Sequence, residues 1–95
     1  MKDENEQFLN QVHTVLDSIQ QVLIEKNKRY GNSALEPLKI FSKKDASQAI
    51  LQRLDDKLSR IKNSEELRKN DIFDLMGYLV LLSISEKWDF FDLID

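Results

Sequence analysis

The stretch that most constrains this chain is DIFDLMGYLVLLSI, residues 71–84. Ile72, Phe73, Leu75, Met76, Leu79, Val80, Leu82 and Ile84 spread around almost the whole circumference of a helix. A helix that is apolar on every side needs cover on every side, which predicts a buried, central helix. Asp71, Asp74 and Tyr78 interrupt the run at spacings of three and four, so they share one narrow face. A buried carboxylate is costly unless it finds a cation, a donor or a wet cleft. Asp71 can be read as a helix start, acting as cap or dipole partner. Asp74 lies one turn deeper in the apolar run, where capping does not account for it.

Two other helices are expected around it. Phe8, Val12, Val15, Leu16, Ile19, Val22 and Leu23 follow spacings of three, four and seven, which predicts a first helix over about residues 4–28. His13, the one histidine, sits beside Val12 and reads as a boundary or surface residue. Lys26, Lys28 and Arg29 suit a helix C-terminus, and Gly31 a helix stop. The same corner, KNKRYGNS, can also be read as an anion site. There Tyr30 would stack on a base, and Gly31, Asn32 and Ser33 would approach phosphate or sugar. A long apolar connection follows, with Pro37 arguing against a helix through its middle. A second helix is predicted from about Asp45, a suitable N-cap, to about Lys62. Its buried stripe is expected to be Ile50, Leu51, Leu54, Leu58 and Ile61. Beside that stripe run Arg53, Asp56, Lys57 and Arg60, either a solvated row of ion pairs or a phosphate-gripping row. The third helix is expected from about Asn70 to about Glu86. After Lys87 the aromatics Trp88, Phe90 and Phe91 either extend that helix or form a short fourth one. Their apolar face calls for cover from the core or a second subunit.

Ninety-five residues make one domain, 1–95, with a core small enough that self-association would help stability. Two glycines and one proline favour long helices over a many-turned β fold. The expectation is an all-α, antiparallel bundle of three main helices plus a short C-terminal helix, forming a homodimer or a higher homo-oligomer. With a net charge of −3, a general nucleic-acid-binding surface is not expected. The absence of cysteine excludes disulfides, zinc–thiolate sites and thiol catalysis. No membrane-spanning run and no signal-like start are present, so a cytoplasmic protein is expected. There is no GxGxxG, Walker loop, serine elbow or HExxH. What remains is acidic residues on helices with basic residues nearby. Oxygen ligands without His or Cys favour Mg²⁺ or Mn²⁺, ions that usually handle phosphates.

Three segments, KNKRYGNS, RLDDKLSR and the Asp71-x-x-Asp74 start of DIFDLMGYL, together resemble a known group. The chain is similar, over about Ile24–Ser83, to the phage and bacterial nucleotide-modification-associated small domains. Those are relatives of the MazG-like all-α NTP pyrophosphohydrolase superfamily, which includes dimeric dUTPases. The resemblance implies paired acidic motifs, E-x-x-E and E-x-x-D, that hold Mg²⁺ against a triphosphate and activate water. Asp71-x-x-Asp74 is similar to the second motif. The first departs from the pattern, because Gln52 and Arg53 stand three residues before Asp55 and Asp56. The resemblance therefore implies Asp56, Asp71 and Asp74 as metal ligands. It implies Lys26, Tyr30, Gly31, Arg53, Lys57 and Arg60 as substrate contacts, and Tyr78, on the face of Asp71 and Asp74, is a further candidate contact. The incomplete acidic set favours nucleotide binding over turnover. Three functions stay open: an NTP pyrophosphohydrolase, a nucleotide-capturing phage accessory or counter-defence module, and a structural helical oligomerisation protein.

Overall fold

The computed structural model describes residues 3–30 and 45–93, and it is all-helical. Its elements are α1 (Glu4–Tyr30), α2 (Ala46–Asn63) and α3 (Lys69–Ser85), with no strand among the described residues. The chain divides into two compact units, Met1–Gly31 and Asn32–Asp95.

The first unit is α1. The Asp3 carboxylate accepts the Glu6 backbone N–H at 2.7 Å, satisfying a donor the helix itself cannot. Glu4 and Glu6 lie in the first turn and Lys28 and Arg29 in the last, so charge complements the helix dipole at both ends. The Arg29 guanidinium pairs with Glu25 one turn back at 3.3 Å, in solvent. Ile19 is buried, whereas Phe8, Leu9, Val15 and Leu16 are exposed. His13 is exposed, as its surface reading required.

The second unit is a helical hairpin. Asp45 is the N-cap of α2, its carboxylate accepting the Gln48 N–H at 2.9 Å. A short turn follows Asn63, in which the Ser64 hydroxyl donates to the Glu66 carbonyl at 2.6 Å. Two polar pins fix the direction of α3. Ser47, at the start of α2, shares a hydroxyl hydrogen bond of 2.7 Å with Ser85, at the end of α3. Lys57, far along α2, meets Asp71 and Asp74 in the first half of α3. The two helices are therefore antiparallel. Ile50 and Leu54 form the apolar centre of α2. Removing an isoleucine side chain from water contributes about 1.5–3 kcal/mol. Gly77 is buried in the middle of α3. Glycine inside a helix costs about 1 kcal/mol relative to alanine. Its burial here means that any side chain would occupy space now taken by neighbouring atoms.

Several sequence expectations need correction. Leu51 and Leu58 are exposed, leaving Ile50, Leu54 and the half-buried Ile61 as the covered stripe. A hairpin covers one side of α2 only, and Leu51 and Leu58, seven apart, lie on its flank. The third helix is not buried all round: Met76, Leu79, Val80 and Ile84 are exposed. No fourth helix forms among the described residues, and none continues after Ser85. The reason is a left-handed stop at Lys87, whose φ is 65°. The Trp88 N–H reaches back to the Ser83 carbonyl at 2.8 Å and the Lys87 N–H to that of Ile84 at 3.0 Å. That pair of bonds is the Schellman closure, normally built on glycine. Trp88, Phe90 and Phe91 follow it without regular structure and are exposed rather than covered.

Candidate functional site

Ile50, Leu54, Lys57 and Ile61 follow one another at spacings of four, three and four. Lys57 therefore stands on the covered stripe of α2, not on its solvated row. Its side chain is 15% exposed. A buried ammonium needs carboxylates, and α3 supplies two on its facing side. Lys57 Nζ lies 2.7 Å from Asp74 Oδ2 and 3.8 Å from Asp71 Oδ1. Asp71 and Asp74 are three residues apart, so one helical face carries both. Asp71 is not the cap of α3. That place belongs to Arg68, which makes no side-chain capping bond. Asp71 lies in the first turn, where the helix dipole favours negative charge.

The cluster is asymmetric in distance, Asp74 lying nearer the Lys57 ammonium than Asp71 does. It is also asymmetric in hydrogen bonding. Asp71 is 4% exposed, and its Oδ2 is buried with no hydrogen-bond partner in the protein. Leaving a buried acceptor unsatisfied costs about 1–3 kcal/mol, and such atoms are rare in native folds. Half-buried Tyr78 stands one turn beyond Asp74 on α3. The arrangement can accept a further cation or donor at Asp71, and its ammonium can turn to an anion.

The other expected site residues are distributed as follows. Asp56 is exposed. Successive helical residues diverge by about 100°, so with Lys57 directed at α3, Asp56 is turned away. Among the described residues no three acidic or histidine side chains gather into a group able to hold a metal ion. Arg53 and Arg60 are exposed on α2, in the same unit as the cluster. Lys26 belongs to the first unit, where it borders an open depression on α1 with Gln21, Val22, Glu25 and Arg29. The Tyr30 side chain and Gly31 lie outside the described residues, as does the apolar connection that follows them.

The double role of Lys57, joining both carboxylates at once, was not evident from sequence, although its place on the apolar stripe was a usable signal. The Ser47–Ser85 clasp and the burial of Gly77 left no comparable trace. Compared with known proteins, the chain matches no family model, no curated protein and no solved structure.

Proposed function

We propose that this chain is a nucleotide-binding protein of the MazG-like type, with its phosphate site on the Asp71–Asp74 face of α3. The observation that carries the reading is Asp71 Oδ2, a buried carboxylate oxygen without a hydrogen-bond partner beside the Lys57–Asp74 pair. An all-oxygen donor pair of this kind suits Mg²⁺ or Mn²⁺ better than zinc or copper. Asp71 and Asp74 would hold the ion, which would neutralise and orient nucleotide phosphates. Lys57 would give its charge to a phosphate oxygen. Arg53 and Arg60 extend the basic side of α2. Asp56, turned away from the pair, leaves the acidic set short of the superfamily's cage. Binding, as in a nucleotide-capturing phage accessory module, is therefore favoured over pyrophosphate release.

Thermal melting with a nucleotide panel, with and without Mg²⁺, tests this. A ligand present at a hundred times its dissociation constant stabilises the folded state by about 2.7 kcal/mol. The wild-type melting temperature should rise with Mg²⁺ and at least one nucleotide together. Asp74→Asn should lose that response while its unliganded stability stays close to wild type or rises, because one of two neighbouring carboxylates is neutralised. A wild-type chain indifferent to every nucleotide overturns the reading. So does an Asp74→Asn chain that responds like wild type.

A second reading, a structural helical oligomerisation protein, is favoured by a different observation. Met76, Leu79, Val80 and Ile84 of α3 and Trp88, Phe90 and Phe91 beyond it are all exposed apolar side chains. On that reading, Lys57 and its two carboxylates are only a register pin.

A further inference from the structure

The segment after α3, EKWDFFDLID, residues 86–95, differs from the rest of the chain in charge. Glu86, Asp89, Asp92 and Asp95 stand against Lys87 alone and leave −3, the net charge of the whole chain, so residues 1–85 are neutral. Large apolar side chains are interleaved with those carboxylates. Trp88, Phe90, Phe91 and Leu93 are all more than half exposed, Phe90 by 77%. An exposed run of large apolar side chains marks an interaction site. The start of the run is fixed: behind the left-handed Lys87, the Trp88 N–H donates to the Ser83 carbonyl at 2.8 Å. A partner therefore meets a tryptophan whose backbone is already ordered, which lowers the cost of docking.

Charge decides the kind of partner. Nucleic acid and anionic lipid both carry phosphates, which these carboxylates repel. A second copy of the segment would bring like charges together. What fits is a protein surface with an apolar floor for the aromatics and a lysine or arginine rim for Asp89 and Asp92. Buried aromatic anchors supply affinity at such interfaces, and complementary rim charges supply steering and specificity. We propose that residues 88–93 dock on a basic-rimmed apolar surface of another protein.

The chain has one tryptophan, so Trp88 emission reports the segment without a label. The probe is an amphipathic helical peptide of leucine and lysine, the smallest surface with this chemistry. A length of about 20 residues lets it hold its stripe. Titrated into the full-length chain, it should move Trp88 emission to shorter wavelength and saturate. Affinity should fall at least tenfold in Phe91→Ala and in the double variant Asp89→Asn with Asp92→Asn, and it should fall as salt is raised. These positions are exposed and outside the helices, so circular dichroism of the variants should match wild type. A titration without a shift overturns the proposal. So does emission already blue-shifted in the chain alone, which would assign the cover to its own residues. Emission that moves as the chain alone is concentrated would assign it to a second copy, and overturns the proposal too. An equal shift with a leucine–glutamate peptide, oligolysine or phosphatidylglycerol vesicles also counts against it, as do variants that bind like wild type. None of these outcomes depends on nucleotide or Mg²⁺.

Discussion

The α2–α3 hairpin and α1 differ in what fixes them. α1 is the longest helix, 27 residues against 18 in α2. Among its described residues, Ile19 is the buried apolar side chain. The ion pair of Glu25 with Arg29 stays within the helix and in water. The hairpin buries less apolar bulk than its sequence offers, but it has two pins between its helices: Ser47 with Ser85, and Lys57 with Asp71 and Asp74. Apolar contact is non-directional and tolerates sliding along a helix. A hydrogen-bonded or ionic pair out of water does not, because a one-turn slip leaves each partner unsatisfied. Register in the hairpin is thus specified by polar atoms, whereas α1 carries an apolar stripe.

The largest break in that contrast should come at Lys57. Lys57→Met keeps the aliphatic stem but leaves two carboxylates out of water without their ammonium. Removing one partner of a buried ion pair typically costs about 3–5 kcal/mol. Urea unfolding followed by circular dichroism should show a loss of that order. Mg²⁺ should restore part of it if the two carboxylates can hold the ion. A variant as stable as wild type would mean the pin carries no register.

Next in size is a matched pair of truncations. Ile50 is 1% exposed and Leu16 60% exposed. Ile50→Ala should cost about 2–5 kcal/mol at every protein concentration. Leu16→Ala should cost no more than about 0.5 kcal/mol, because its side chain is exposed. Equal losses would erase the difference between the two regions.

The smallest effect is expected at the C-terminal stop of α3. Lys87 holds a backbone conformation that costs a non-glycine residue about 1–2 kcal/mol. Lys87→Gly removes that cost but adds freedom to the unfolded chain, so a net gain of about 0.5 kcal/mol is expected in the same unfolding measurement. A loss would indicate that the lysine side chain contributes contacts of its own.

Helix class and most helix limits were legible in sequence because they rest on periodicity and capping, both local. Asp45 shows this: its side chain caps α2 where a residue of that type before an apolar-periodic run should. Periodicity shows which faces are apolar and says nothing of what covers them. That is why Leu51, Leu58 and the far side of α3 were expected inside and are outside. The end of α3 was read to within a residue, but the choice between an extension and a fourth helix stayed open, since a left-handed lysine has no sequence signature while a left-handed glycine does. At the candidate site, the shared face of Asp71 and Asp74 followed from their spacing. Their common ammonium did not, because Lys57 also fits the polar row formed with Arg53, Asp56 and Arg60.

The two pins of the hairpin also differ in how much chain they close. Ser47 and Ser85 stand 38 positions apart, at the open end. Lys57 and Asp71 enclose roughly 14, and by loop-closure entropy the shorter ring forms at a cost lower by about 0.9 kcal/mol. Folding of this unit should therefore start at the connection and run outward, with the ionic end in place before the hydroxyl clasp closes. Ser47→Ala would then speed unfolding and leave the folding rate almost untouched.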